Sequence, residues 1–353
     1  MSSTVAAQRE ARVPAEAIDG VRRRRLLLTL FGLSVVLGLL GLVAGPSGLS
    51  WSEFTADARG EQAALILGEI RAPRTLGAWG VGALLGLAGA MAQALFRNPL
   101  ADPYLLGTAA GAGLSVVLVL AGASLGGAVI GLATAQWLAR LGLVLAAFVG
   151  ALAGLLLTLA LARGAREPMR LLLAGVVVGV VLGAASDLVT TISPDALRGK
   201  QSFLLGSTGL LGWSSTVLLL GGVGLLLPLA RRYARALDAL TLGDDSAASL
   251  GLDLPRIRLV LVGLLALCTG LAVSQAGLVA FVGLVAPHLL RRHAPAPQAY
   301  TLAASAAMGG VLLLAADVLA RCLIAPQELP VGVLTAVLGG GYLMRLLRRR
   351  GAR

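Results

Sequence analysis

The sequence predicts an all-α polytopic membrane protein with about ten transmembrane helices and both termini in the cytoplasm. Hydrophobic residues make up 57% of the 353 residues, charged residues make up only 13%, and the mean hydropathy is +0.88. A water-soluble domain does not hide so much apolar surface. The apolar residues form long continuous runs, which favours helices over the short alternating segments of a β-barrel. Arginines gather at alternate ends of these runs, as expected of a chain that crosses a membrane repeatedly.

Each predicted span is close in length to the roughly 20 apolar residues that cross a bilayer. The ten spans are residues 26–43, 76–96, 105–121, 141–161, 171–189, 210–229, 259–273, 277–290, 302–319 and 331–347. Residues 1–25 are expected to form a disordered cytoplasmic tail, and residues 348–353 a basic cytoplasmic tail. Residues 45–70 are predicted to be an outer loop with an interfacial helix. An eleventh span at 125–139 would reverse the sidedness of every later loop, so a short outer helix or re-entrant piece is predicted there.

The net charge of +12 is explained by topology and does not indicate nucleic-acid binding. The ends assigned to the cytoplasm carry most of the basic residues, namely Arg22 to Arg25, Arg97, Arg163, Arg166, Arg170, Arg231, Arg232, Arg235, Arg256, Arg258, Arg291, Arg292, Arg345 and Arg348 to Arg350. The opposite ends carry fewer, namely Arg59, Arg71, Arg74, Arg140, Arg198, Lys200 and Arg321. This asymmetry predicts a multi-pass protein whose non-protein partner is membrane lipid.

No residue pattern in the sequence points to a catalytic residue, a cofactor or a metal site. The only lysine, Lys200, lies in a segment that has proline in place of the first P-loop glycine and Gln201 in place of the hydroxyl residue. The chain is therefore not expected to hydrolyse ATP by the P-loop mechanism. His288 and His293 have no neighbouring cysteine or carboxylate to complete a metal-ligand set.

Two carboxylates lie within the predicted spans. Asp317 precedes Arg321 by four residues, a spacing that predicts an ion pair within one helix near the outer interface. Asp187 is a candidate for the transport pathway, because an ionisable residue in a span is often functional. Its position near the end of the span leaves open that it only faces water.

Glycine is abundant, with 47 residues, and its spacing predicts close helix packing. Lipid provides no hydrophobic drive between helices, so small residues that let backbones approach closely favour association. Two sets share a helix face and are predicted to pack in this way, Gly82 with Gly86 and Gly89, and Gly175 with Gly179 and Gly183.

Four ordered blocks between residues 69 and 347 resemble the FecCD-type (BtuC-like) permeases of bacterial binding-protein-dependent ABC importers. The first contains Arg71-Ala72-Pro73-Arg74, Gln93, Arg97-Asn98-Pro99-Leu100-Ala101-Asp102-Pro103 and Gly107. The others are residues 242–251, residues 277–291 with Pro287-His288, and residues 317–332 with Glu328-Leu329-Pro330. The resemblance implies a permease domain over 26–347 in the bacterial cytoplasmic (inner) membrane.

The same resemblance implies partners and a class of substrate. Members of the family are ten-helix subunits that pair as dimers and import metal chelates, so a second permease copy or a close paralogue, ATP-binding ABC ATPase subunits and a substrate-binding protein are expected. A ferric siderophore is favoured as the commonest family substrate, with haem or cobalamin as alternatives. An ion-coupled secondary carrier is the alternative outside the family.

The resemblance also assigns roles to three groups of residues. Binding-protein docking is expected at Arg71, Arg74 and Arg321, contact with the ATPase at a coupling helix containing Gly243, Asp244, Asp245, Ala247, Leu250 and Gly251, and a cytoplasmic gate at Asn98 and Leu100. Alternatively, Arg321 only pairs with Asp317, while Arg71 and Arg74 touch lipid headgroups.

The residues of the coupling segment themselves predict a short bracketed helix. Asp244 can cap its start, Asp245 suits the positive end of the helix, and Gly251 supplies a left-handed stop. On spacing alone, an ordinary capped loop helix is the alternative.

Overall fold

Thirteen α-helices form most of the part of the chain that this computed structural model describes, residues 2–45, 48–49, 64–125, 132–164, 167–293 and 296–351. In chain order they are α1 (Ser2–Val43), α2 (Ala72–Leu95), α3 (Thr108–Leu125), α4 (Leu132–Leu161), α5 (Pro168–Ile192), α6 (Pro194–Leu205), α7 (Trp213–Arg232), α8 (Ala234–Thr241), α9 (Asp244–Ser249), α10 (Leu254–Ala276), α11 (Val282–His293), α12 (Gln298–Cys322) and α13 (Val331–Gly351).

Three smaller elements complete the described structure. A π-helix, Ile66–Arg71, leads directly into α2, and a 3₁₀ helix, Pro103–Leu106, precedes α3. Two strands of two residues each, β1 (Ala44–Gly45) and β2 (Gly48–Leu49), pair in antiparallel fashion after α1, with Ala44 opposite Leu49.

Helix α2 lies at the centre of the bundle. Every residue from 80 to 96 is buried, and the helix packs against α12, α10, α7 and α11. Its sequence is largely alanine, glycine and leucine, so it presents an apolar surface on all sides, as expected of a helix enclosed by other helices. The side chains at its two ends are therefore positioned by several surrounding helices.

Glycines allow α2 to approach its neighbours at backbone distance. A Cβ atom at Gly82 or Gly86 would fall within 3.0 Å of the α12 backbone at Gly309 or Ser305, and one at Gly89 would meet the backbone of Gly283 in α11. The prediction for these three glycines is confirmed. For the second set it holds only at Gly175, because a Cβ at Gly179 or Gly183 would meet nothing within 4 Å.

Seven helices in the described residues are long and apolar enough to cross a membrane. They are Gly20–Val43, Ile66–Leu95, Leu141–Leu161, Pro168–Ile192, Trp213–Arg232, Leu254–Ala276 and Gln298–Cys322. Two shorter apolar helices, Thr108–Ala123 and Val331–Leu346, match predicted spans in position. These helices confirm an all-α polytopic membrane protein.

The span predicted at 277–290 is wrong as a continuous helix. The helix α11 starts only at Val282 and has 12 residues, about 18 Å at 1.5 Å per residue. Gly277 and Phe281 have φ values of 68° and 67°, so the backbone between α10 and α11 leaves the right-handed helical region twice. Apolar composition alone did not reveal these breaks.

The N-terminal segment and one predicted connection differ from the structure. Helix α1 starts at Ser2, within the segment predicted to be disordered, and that segment is rich in alanine and arginine, which favour helix. Residues 132–139 belong to α4 instead of forming a separate short helix or re-entrant piece. Of the outer loop predicted at 45–70, residues 46–47 and 50–63 lie outside the described structure.

Candidate functional sites at the two ends of the bundle

The short helix α9 lies where the coupling helix was predicted. Gly243 precedes it with φ of 112° and Gly251 follows it with φ of 78°, so glycine at both positions allows a backbone that other residues rarely adopt. Asp244 was predicted to cap the helix, and that detail is wrong. Gly243 occupies the N-cap position without a side-chain cap hydrogen bond, and Asp244 is the first helical residue.

The carboxylate of Asp244 instead binds two arginines from other elements. Its Oδ1 atom lies 2.7 Å from a terminal nitrogen of Arg258 in the first turns of α10, and 3.5 Å from a terminal nitrogen of Arg97. Arg258 is buried and Arg97 is exposed, whereas Asp244 is half-buried and its Oδ1 atom is itself buried. Neither arginine was assigned a role from the sequence.

One face of α9 is fixed to the bundle and the other is free in this chain. Ala247 is fully buried in the main core, whereas Asp245 is exposed. The flanking leucines Leu242 and Leu250 are 72% and 67% exposed. A charged helix between two exposed leucines offers both apolar and polar contacts to a soluble partner.

The predicted gate residues lie in the turn that ends α2. Arg97 has φ of 49°, which is unusual for a residue other than glycine. The next residue, Asn98, accepts a hydrogen bond at Oδ1 from the amide of Leu100 at 2.9 Å, and the amide of Ala101 donates to its carbonyl at 3.0 Å. Leu100 is 40% exposed. The structure thus brings the gate turn and α9 together, through Arg97 and Asp244.

Asp102 closes the same turn. Its Oδ1 atom accepts a hydrogen bond of 2.8 Å from the amide of Tyr104 at the start of the 3₁₀ helix. Burial raises the pKa of Asp102 to about 6, and the hydrogen bond from Tyr104 partly opposes this shift. The turn is therefore closed by a carboxylate whose charged form is disfavoured by its surroundings.

A buried polar contact joins α2 to α11 near this end. The Gln93 side chain donates to the carbonyl of Leu284 at 3.0 Å and accepts a hydrogen bond from Arg291. Gln93 was part of the family pattern, but no role was derived for it from the sequence. A glutamine within an apolar span indicates such a contact, because a buried amide needs hydrogen-bond partners.

At the other end of α2, a buried carboxylate collects three donors. Asp317 of α12 is fully buried and forms an ion pair with Arg321 one turn later, as the spacing predicted. Its Oδ1 atom also accepts hydrogen bonds from Arg74 Nε at 3.1 Å and from Thr208 Oγ1 at 2.5 Å. The structure therefore links α12, α2 and the segment before α7 through one side chain.

The arginines predicted to dock a binding protein are mostly enclosed within this chain. Arg321 is 2% exposed and donates to the carbonyl of Gly41 at 2.8 Å, while Arg71 is 5% exposed and donates to the carbonyl of Leu42 at 3.2 Å. Both therefore hold the end of α1 against α2 and α12. The docking prediction conflicts with the burial of Arg71 and Arg321, and the alternative pairing of Arg321 with Asp317 is observed.

Arg74 differs from the other two because its side chain is 11% exposed and contacts a residue at the surface. Its Nη2 atom lies 2.8 Å from Oε2 of Glu328, which belongs to the loop between α12 and α13 and has a side chain that is 34% exposed. Glu328 and Thr208 were not assigned roles from the sequence, because their contacts depend on residues far away in the chain.

Asp187 lies in the last turns of α5, close to α6. Its side chain is 74% exposed and forms an ion pair with Lys200 of α6. The helix α6 was not predicted from the sequence, and it begins where Ser193 accepts a hydrogen bond from the amide of Ala196 at 3.3 Å. The assignment of Asp187 to the transport pathway stays a prediction.

Comparison with known proteins identifies the relatives of this chain. The model of the FecCD transport family matches residues 33–349. The chain is 40% identical over 339 residues to the hemin transport system permease protein HmuU of Yersinia pestis, covering 94% of this chain and 97% of that protein. It is 38% identical over 329 residues to the vitamin B12 import system permease protein BtuC of Serratia proteamaculans, covering 93% of each.

A solved structure shows the same fold. It is described as an inward-facing conformation of a metal-chelate type ABC transporter, and it matches with a TM-score of 0.80 over 92% of this chain and 99% of its own. The sequence identity is 24%, so this likeness concerns the fold.

Proposed function

Because the chain belongs to the FecCD transport family, we propose that it is the membrane-spanning permease subunit of an ABC importer for a metal chelate. The observation that carries the proposal is the family match over residues 33–349, together with two permease relatives of about 40% identity over nearly the whole chain. ATP hydrolysis is assigned to a separate ATPase subunit, and the chain itself to transport without catalysis.

The two relatives favour a narrower substrate class. One is named for hemin and the other for vitamin B12. Both compounds are metal complexes of a tetrapyrrole macrocycle, whereas a ferric siderophore binds iron through flexible oxygen-rich arms. We therefore place a metal–tetrapyrrole chelate first among the substrates and a ferric siderophore, favoured by family frequency alone, second.

Competition for uptake tests this ranking. The permease is reconstituted with its ATPase and binding protein, and ATP-driven uptake is measured for haemin, cyanocobalamin and a ferric hydroxamate siderophore, each alone and against excess of the other two. We expect uptake of one of the two tetrapyrroles. Uptake of the siderophore with neither tetrapyrrole transported or competing would reverse the ranking.

The topology proposed for this function has ten crossings. Seven are the long apolar helices, two are α3 and α13, and the tenth is α11 together with the irregular segment from Gly277 to Phe281. Non-helical backbone at membrane depth is tolerated where it is enclosed by protein, and Val279 and Val282 are buried. Ten crossings place both termini on the same side of the membrane, and the arginine distribution assigns that side to the cytoplasm.

The end of the bundle that holds α9 is assigned to the cytoplasmic side, where it contacts the ATPase. Exposed Leu242 and Leu250 flank α9, and the turn with Asn98 and Leu100 lies beside it, so the coupling helix and the gate occupy one end. A second permease copy or a paralogue completes the transporter in the bacterial inner membrane. Asp187 remains a pathway candidate at the opposite end.

Docking of a binding protein is assigned to the rim formed by Arg74 and Glu328. Arg74 is the docking candidate that contacts a residue at the surface, and its guanidinium can bind a carboxylate bidentately. Arg71 and Arg321 support this rim from below. Reversing the charge of Arg71 or Arg321 would disturb the buried contacts of α1, and reversing that of Arg74 would disturb its contact with buried Asp317.

A further inference from the structure

Helix α9 packs into the core through Ala247 and is flanked by a glycine at each end. It has six residues between two glycines in the left-handed region, Gly243 and Gly251, where the chain can change direction easily. Ala247 is buried in the core, and the amide of Gly251, beyond the end of the helix, donates to the carbonyl of Ala248 at 2.9 Å. A seated helix between two such glycines can tilt about Ala247 without unfolding.

Both ion pairs shown for α9 in the described residues start from the same oxygen atom. Oδ1 of Asp244 contacts Arg258, which is buried in α10, and Arg97, which is exposed in the turn after α2. The distances of 2.7 and 3.5 Å differ, so the contact with α10 is the closer one. A tilt of α9 therefore changes two contacts at once, one with a long helix and one with the gate turn.

The gate turn, residues 97–101, is held together by hydrogen bonds of Asn98, which directly follows Arg97. Arg97 has a φ of 49°, and Asn98 immediately after it holds Leu100 through its side chain and Ala101 through its carbonyl. Displacement of the Arg97 guanidinium thus acts on a short, internally hydrogen-bonded turn. The turn is covalently joined to the end of α2, the central helix of the bundle.

We propose that Asp244 is the residue that transmits movement of α9 to the gate turn through Arg97 and to α10 through Arg258. The inference rests on the proposed function and specifies which side chains couple the ATPase to the gate. Asp244 acts here as a positioning residue, because it contacts neither the transported chelate nor ATP.

The test measures how many chelate molecules are imported per ATP hydrolysed by the complete reconstituted transporter. The variants are D244N, which removes the charge that holds both arginines, R97Q, which removes only the contact with the gate turn, and D244E, which restores the carboxylate. The matched control is D253N. Asp253 is a carboxylate in the same region whose ion pair with Arg256 is exposed, and asparagine preserves its role as N-cap of α10.

We expect D244N to lower the number of chelates imported per ATP at least fivefold, at the lower end of typical coupling between sites. R97Q should lower it by a smaller factor, D244E should recover most of it, and D253N should match the wild type. Because Arg97 is 44% exposed, R97Q tests the proposal even if D244N fails to assemble.

Three results would contradict either the proposed function or the inference about Asp244. A wild-type complex that imports none of the three chelates would refute the proposed function. The inference about Asp244 is wrong, while the proposed function stands, if the wild type imports a chelate and both D244N and R97Q import as many chelates per ATP as D253N. If D244N does not assemble, the same result for R97Q alone is sufficient. A loss of ATPase binding by R97Q, with an unchanged ratio in the complexes that form, would also overturn it.

Discussion

Replacing Asp317 with alanine is expected to lower the stability of the protein by about 3–5 kcal/mol, the range seen when one partner of a buried ion pair is removed. Asp317 is fully buried and accepts contacts from Arg321, Arg74 and Thr208. Without its carboxylate, two guanidinium groups remain close together with little water to screen them. The ends of α1, α2 and α12 should therefore separate more readily.

Thermal unfolding in detergent measures this effect, read as the temperature at which the monodisperse protein is lost. The matched control is Asp187→Ala, which breaks an ion pair whose carboxylate is 74% exposed. Its effect should stay within about 1 kcal/mol, as for surface pairs. The double variant D317A/R321A should be more stable than D317A alone, because it removes one of the uncompensated charges. Equal loss of stability in D317A and D187A would show that the Asp317 contacts contribute little.

Substituting alanine at Gly82 is the second change with a large expected effect. A Cβ atom there would come within 3.0 Å of the α12 backbone at Gly309. A Cβ atom at Gly309 would likewise come within 3.0 Å of the α2 backbone at Gly82. Neither contact can be relieved by rotating a side chain, so the two helices must move apart. Overpacking of this kind costs typically about 1–3 kcal/mol and occasionally more, and both single variants should reach the upper part of that range.

Gly263→Ala is the control for this pair of variants. Gly263 lies inside α10, and a Cβ atom there would meet nothing within 4 Å. Alanine should be neutral or stabilising by up to about 1 kcal/mol, because it has the higher helix propensity. Unfolding temperatures of G82A, G309A and G263A are compared in the same detergent. Similar temperatures for all three would contradict the close contact between α2 and α12.

The sequence could predict the features that depend on composition and local spacing. Apolar runs revealed the membrane helices, the i, i+4 spacing revealed the Asp317–Arg321 pair, and Gly251 marked the end of α9. It could not reveal the break before α11, because the positive φ of Phe281 depends on tertiary packing and leaves no mark in composition.

The candidate site residues that the sequence did not reveal share a physical cause. Arg97 and Arg258 meet Asp244, and Thr208 and Glu328 join the network of Asp317, only because distant parts of the chain are brought together. For Arg71 and Arg321, docking stays a prediction, and their burial within this chain does not favour it. Charge at a membrane face suggested a surface for a partner, whereas carbonyls at the end of α1 provide enclosed acceptors for both.

The energy source of transport tests the central claim most directly. The permease is reconstituted in liposomes with its ATPase and binding protein, and uptake of haemin and cyanocobalamin is measured with ATP, without ATP, without the ATPase, and with a protonophore. We predict uptake only when ATP and the ATPase are both present, and no loss with the protonophore. Uptake by the permease alone that follows an ion gradient and is abolished by the protonophore would contradict the assignment as an ABC importer subunit.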